Sequence, residues 1–427
     1  MKLRSLLSFS AAWTALVPIA IGSFAACSSS GDAASGAAAD AGPSQDGAAS
    51  SDAATTADAS STDVACPRKR GTADHPRKVI VSHPNDADAG KVKDYEVLDL
   101  GLDGNLTRGG QRFTMGHNFD APILFSPDGV IGVAVQDDDG TLGIFRFDPG
   151  NATPIVVAAQ FGKDLFYADW AVFSPDGARL YVADSNRNPG GGIHEVAIAC
   201  DGTPTYRGQV LDAQGSGALS LVPGTSRALV AAATGPSAPK GHDAFLVDLA
   251  ANGGAMSVAS SVALFGDDQL SPHGVAVTPD GKIGFVPDGN DVYGTNRLGV
   301  LGIADGVLKK IDVIDLPSPS GVVVSPFGNA ALVTAAGGPS VDAVHLVRIE
   351  SNGTVTVTGK VAMTPKPQLP TGPVVIDSGP QKGLVLMSEV DGIRRVQFDA
   401  SGTVKDLGLF AFPGGLEASI GSVGVQP

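Results

Sequence analysis

The turn "SPDG", flanked on both sides by alternating apolar residues, recurs along this chain and limits what it can fold into. The copies read "ILFSPDGVIGVAV" from Ile123, "AVFSPDGARLYVAD" from Ala171, "LSLVPGTSRALVAA" from Leu219, "VAVTPDGKIGFVPD" from Val275, "VVVSPFGNAALVTA" from Val322 and "VVIDSGPQKGLVLMS" from Val374. Period-2 alternation on each side of a Pro/Gly/Asp turn marks two antiparallel strands. The residues just before the turns, Ser126, Ser174, Val222, Thr278, Ser325 and Asp377, are spaced 48, 48, 56, 47 and 52 residues apart. Two more strand-like runs follow every hairpin, as in "RLGVLGIADGVLKKIDVIDL" from Arg297, where Ala-Asp-Gly forms the turn. Four short strands at a period near fifty predict a β-propeller.

Six blades are complete and the seventh is split. Residues 78 to 113 supply three strands, and the C-terminal "SIGSVGVQP" supplies the innermost one, with Gln426 falling 49 residues after Asp377. The expected fold is all-β: a seven-bladed β-propeller of four-stranded antiparallel blades, closed by the C-terminal strand joining the N-terminal blade. Such closure removes two exposed sheet edges. The 56 Gly and 29 Pro match the turn load, and no helical periodicity is long enough to argue otherwise.

The chain opens "MKLRSLLSFSAAWTALVPIAIGSFAACSSS", with Lys2 and Arg4 ahead of an uncharged run that ends in small residues before Cys27. This is the anatomy of a secretory signal. Phe24, Ala25, Ala26 and Cys27 resemble the bacterial lipoprotein signal, which implies that residues 1–26 are removed and that Cys27 is lipidated. An uncleaved membrane anchor is the alternative, since the apolar run nearly spans a bilayer. Ser28 after Cys27, by resemblance to enterobacterial sorting rules, points to the outer membrane. Residues 28 to 63 contain only Ser, Gly, Asp, Ala, Pro, Gln and Thr. They cannot bury enough apolar surface to offset the entropy of ordering, so residues 27–66 read as a disordered tether of about 30 to 36 Å end to end. The propeller then occupies residues 67–427.

Two cysteines remain, Cys66 and Cys200. In an oxidising compartment they are able to pair and clip the tether to the body, or they persist as two thiols. Their spacing matches no zinc pattern. The formal charge of −15, or −17 once Lys2 and Arg4 are removed, repels phosphate backbones and argues against a nucleic-acid partner. Cations or cationic partners suit it better.

The blades resemble the lactonase-type, or YVTN, seven-bladed propellers over about residues 75 to 427, on the repeated "SPDG" or "TPDG" turn and its strands. That family includes 6-phosphogluconolactonases, a cycloisomerase of aromatic catabolism, and surface proteins. Propeller geometry gathers the links between blades, and the loops between strands two and three, on one upper face around the channel. Five residues before each turn marker stand Ala121, Asp169, Gly217, His273, Ser320, Gly372 and Gly421. Of these, Asp169 and His273 are chemically able. The strand-two-to-three loops add Asp184, Arg187, Asp288, Asp291, Arg297, Glu389 and Asp391 as neighbours of the same cavity. By resemblance, "SPHGVAVTPDGKIGFVPDGNDVYGTNRLGVL" makes His273 a polarising or basic group, with Arg297 and Arg187 as anion clamps. A histidine that caps turn backbone groups is the other reading of His273.

The acidic residues Asp120, Asp137, Asp138, Asp139, Asp169, Asp184, Asp288, Asp291, Glu389 and Asp391 suggest a Ca²⁺ site, or alternatively a solvated acidic rim. No G-x-S-x-G elbow, H-E-x-x-H, P-loop or haem C-x-x-C-H is present. The first expectation is therefore a lipid-anchored, exported binding or scaffold module of the cell envelope, a monomer whose upper face takes an envelope protein, a glycan or a small acidic ligand. The alternative is a lactonase-like hydrolase or isomerase with His273 as base.

Overall fold

The computed structural model describes residues 66–72, 74–83, 94–118, 121–137, 139–235, 239–250, 254–266, 272, 274–290, 295–412 and 422–427. Cys27, His273, Asp291, Asp120 and Asp138 lie outside the described residues. Ser61–Pro427 forms one compact unit.

Seven four-stranded antiparallel sheets make the ring. Blade 1 contains Arg77–His83, Asp94–Leu100 and Leu106–Thr114, with Val423–Val425 as its innermost strand. Blades 2 to 7 begin at Ile123, Ala168, Ser216, Ala276, Pro319 and Thr371, and each runs outward in chain order. The C-terminal strand pairs Val79 with Val425 and Val81 with Val423, so the two ends of the chain close one sheet. Arg77, almost fully buried, clasps that seam by donating to the carbonyls of Gln426 at 2.9 Å and Ser378 at 3.0 Å. Gln426 ties the seam to its neighbour: its side-chain oxygen accepts from Lys78 N–H and its amide donates to Gly129 C=O.

The strands form where the pattern placed them because the turn between strands one and two is chemically closed. Ser126 Oγ donates to Asp128 Oδ1 at 2.6 Å and accepts from Ile131 N–H at 3.0 Å, while Gly129 takes a positive φ of 71°. Thr278 and Asp280 repeat the arrangement. Gly is needed because an L side chain disfavours that backbone conformation.

Packing is between blades rather than within them. Seven apolar clusters fill the seven junctions, from Ile80, Tyr95, Phe113 and Phe145 between blades 1 and 2 to Val79, Leu98, Leu386 and Ile393 between blades 7 and 1. One blade cannot bury both of its faces, so the closed ring is the smallest unit in which every blade has two neighbours. Ser61–Pro427 contains that ring and all seven junctions, which makes it self-contained as a folding unit.

A strap crosses the lower face, where the "SPDG" turns lie. Cys66 and Cys200 form a disulfide. Arg68 then donates to Asp128 Oδ2 at 2.9 Å and to the carbonyls of Ala199 and Cys200, and Arg70 pairs with Asp377. The strap thereby joins turns of blades 2, 3 and 7. Replacing Cys66 and Cys200 by Ser should lower the unfolding free energy by about 2 kcal/mol in urea titrations, toward the low end for a disulfide because the ring stays closed by its C-terminal strand.

Candidate functional site

At the upper end of the innermost strands the ladder carries an extra residue in several blades. In blade 3, Ala168 pairs with Asp184 and Trp170 with Ala183, so Asp169 stands between two rungs. The same shift falls at Gly217 in blade 4, at Ser320 in blade 6, and across Gly372 and Pro373 in blade 7. A bulge re-aims its extra residue and ends regular pairing, and here it does so repeatedly around one axis. The position five before the turn marker, picked out in the sequence as the channel mouth, is this bulge.

Below the mouth lies a central cavity of about 270 Å³, to which the inner strands of all seven blades contribute. Its wall is mainly apolar, with Ile123, Trp170, Leu219, Val275, Val322 and Val374 among its residues. The polar side chains in it are three serines. Ser320 Oγ donates to Pro370 C=O at 2.9 Å, and Ser220 Oγ lies 3.5 Å from Leu221 C=O. Ser422 is 1% exposed, and its Oγ has no hydrogen-bond partner among the described residues. A buried hydroxyl left unpaired costs free energy, so one facing a cavity invites a ligand group or a water.

Asp169 is half-buried and accepts no hydrogen bond among the described residues. Burial, and then the negative charges of Asp137 and Asp184, push its carboxyl up to about 7. Pro272 closes the other side: a Cβ at Gly217 would come 2.7 Å from the Pro272 ring and 3.3 Å from Asp169 Oδ2. Gly217 thus lets blade 3 and the entry to blade 5 approach each other at the mouth. The Trp170 indole extends against Gly274, where a Cβ would come within 3.0 Å of the ring.

The remaining predicted residues divide into two groups. Asp184 stands near Asp169 in the same field, and its carboxylate also accepts from Asn186 N–H at 2.8 Å and lies 3.4 Å from His194 Nε2. Arg187 is exposed, with its Cγ over Gly215. Arg297 is engaged elsewhere: Nε is 2.7 Å from Oδ2 of the fully buried Asp288, and the guanidinium sits 4.1 Å above the Phe265 ring. Asp288 also bridges to Pro272, which carries the segment leading to residue 273. Glu389 is bound within blade 7, where Arg394 donates to both of its oxygens at 2.8 and 3.1 Å. Burial is the main cause of the rise in the Glu389 pKa.

Among the described residues, no group of three or more His, Cys, Asp and Glu is placed to hold a metal ion. Trp170 and Ser422 were not singled out in the sequence. Trp170 follows the able Asp169 directly, and Ser422 occupies the first position after Gly421, so blade register was the signal that pointed to both.

No protein-family model matches the chain, and no curated protein does. Solved structures do match in fold. The chain is similar to a periplasmic gluconolactonase from Pseudomonas aeruginosa, with 15% identity and a TM-score of 0.58 over 82% of this chain and 99% of that one. It is similar to a candidate 6-phosphogluconolactonase from Bacteroides fragilis, with 16% identity and a TM-score of 0.57 over 79% of this chain and 96% of that one. A protein from Lactobacillus plantarum has 14% identity and a TM-score of 0.59 over 82% of this chain and 99% of that one. The shared property is the lactonase-like seven-bladed propeller fold.

Proposed function

We propose that this protein is a binding module of the bacterial cell envelope that takes a small ligand at the upper mouth of its propeller channel. The observation behind this reading is the composition of the mouth: a carboxyl, Asp169, that accepts no hydrogen bond among the described residues, next in sequence to Trp170 in the wall of a mainly apolar cavity, while Arg297 is already committed to Asp288 and Phe265. A site that hydrolyses a phosphorylated or acidic lactone needs cations to hold the anion, and the field from Asp137, Asp169 and Asp184 opposes one. Cys27 would carry the lipid and residues 28 to 63 the tether. The tether would reach the propeller near Cys66, on the lower face and at the opposite end of the channel from Asp169.

A lactonase-like activity on an uncharged lactone is the second reading. It is favoured by the fold shared with the Pseudomonas aeruginosa gluconolactonase and by a carboxyl poised near neutral pH, which suits a general base. Calorimetric titration of the Ser61–Pro427 unit with lactones, acidic sugars and Ca²⁺, with hydrolysis followed by pH-stat, separates the two. Saturable binding without turnover is expected. Turnover that vanishes in His273→Ala or Asp169→Asn would replace the first reading by the second. Incorporation of labelled palmitate into the full chain, lost in Cys27→Ala, tests the anchor.

A further inference from the structure

We propose that the ligand of this channel is an amine: a small molecule with an ammonium group that meets Asp169 at the mouth and an apolar body that enters the cavity beneath it. The proposal rests on the small-ligand reading above and narrows it to a chemical class.

Three features converge on that class. Asp169 is carried out of its strand ladder by a bulge, into a mouth where Asp137 and Asp184 add negative charge and no described residue donates to its carboxylate. An anionic ligand would meet repulsion there, and a neutral one would leave the Asp169 charge uncompensated. A cation supplies the missing partner, and hydrogen bonds between charged groups are the strong ones. The wall below is Ile123, Leu219, Val275, Val322 and Val374, together with Trp170, the residue that follows Asp169 in the chain. Indole attracts cations more strongly than other aromatic side chains, and aliphatic walls take hydrocarbon. At about 270 Å³ the cavity is at the small end of ligand pockets, large enough for one ring or a short alkyl chain.

The third feature is independent of the acid. Ser422, buried and without a partner for its Oγ among the described residues, lines the cavity near Gly372, where a Cβ would stand 3.8 Å from that oxygen. It is contributed by the segment leading into the ring-closing strand. A hydroxyl held at this depth offers a hydrogen bond to a second polar group on the ligand body. A bare metal ion fits less well, because the cavity wall is mainly hydrocarbon and, among the described residues, no group of three or more His, Cys, Asp and Glu is placed to hold one, whereas Ca²⁺ takes six to eight oxygens.

The test is calorimetric titration of the Ser61–Pro427 unit at pH 8 with n-butylamine, cyclohexylamine, 2-phenylethylamine and choline, each against its neutral isostere, and with CaCl₂. At least one amine is expected to bind about tenfold or more tightly than its neutral counterpart. That preference should fall to near unity in Asp169→Asn, which retains shape and removes charge, while the neutral isostere binds Asp169→Asn as it binds the parent. Trp170→Leu should weaken both, and the amine more than its neutral isostere, because it removes the cation-attracting ring as well as wall area. If the neutral isosteres bind as tightly as the amines, or if Asp169→Asn keeps the preference, the amine assignment is wrong and the small-ligand reading stands. If CaCl₂ binds, loses that binding in Asp169→Asn, and no amine binds, the mouth is a metal site and the amine assignment falls. If nothing binds at millimolar concentration, both readings fall.

Discussion

Replacing Arg394 by Met will destabilise the protein by about 3–5 kcal/mol at pH 7, and most of that loss will disappear as the pH approaches 4. Arg394 is fully buried, and it donates to both oxygens of Glu389, to Asp406 Oδ2 at 3.3 Å and to Pro365 C=O at 2.7 Å. Met fills similar volume but leaves Glu389, itself 3% exposed, without a cation. The Glu389 pKa is already raised in the folded protein by burial, and losing Arg394 raises it further. A carboxyl with a raised folded pKa contributes stability below its unfolded pKa and loses it as the pH climbs through the folded value. The Arg394→Met deficit must therefore grow with pH. Urea titrations between pH 4 and 8 measure it, and a deficit equal at both ends would show that lost packing rather than an orphaned charge is responsible. Glu389→Gln combined with Arg394→Met should recover a large part of the loss at pH 7.

Asp169→Asn should have the opposite sign, stabilising the fold by about 2 kcal/mol at pH 8 and by nearly nothing at pH 4. The folded pKa of Asp169 is about 7, against an ordinary value of 3.8. Its contribution to stability is thus fully present below about pH 4 and is lost as the pH rises through 7. Complete enclosure would make the loss about 4 kcal/mol, and we halve it because the carboxyl is only half-buried and water still reaches it. Melting curves of the parent and Asp169→Asn across this pH range should converge at the acid end and separate at the alkaline end. A substitution that strengthens the fold while removing ligand preference marks a residue kept for binding, since functional sites hold groups that stability alone would discard. Parallel curves would mean that the carboxyl is solvated and unperturbed.

The propeller was legible because its code is local and repeated. Each blade restates the same alternation and the same turn, in which Ser126, Asp128 and Gly129 satisfy one another within four residues. Seven copies at a constant period leave few other ways to bury the apolar faces. Even the split blade could be read, since Gln426 keeps the spacing. The channel mouth was legible to the same extent: the count of five before the marker reached Asp169, Gly217, Ser320 and Gly372, all of which fall on bulges.

The sequence by itself therefore determined the number of blades, the closure by the C-terminal strand and the ring of positions that surrounds the channel, because these follow from period and alternation. Only the tertiary structure decided which charged residues have partners. Arg297 and Glu389 have the composition of a site, yet each is bound to a buried partner, Asp288 and Arg394. Asp169 differs from them in no local pattern, yet it stands near Asp137 and Asp184 with no donor among the described residues. The pairing of Cys66 with Cys200, across a separation of 134 residues, and the Oγ of Ser422, which has no partner among the described residues, were decided in the same way. Arg297 meets Asp288 and Arg394 meets Glu389 across strands of a single blade, whereas the surroundings of Asp169 and Ser422 and the Cys66–Cys200 bond come from different blades, so strand register decides the first kind of partner and the closed ring the second.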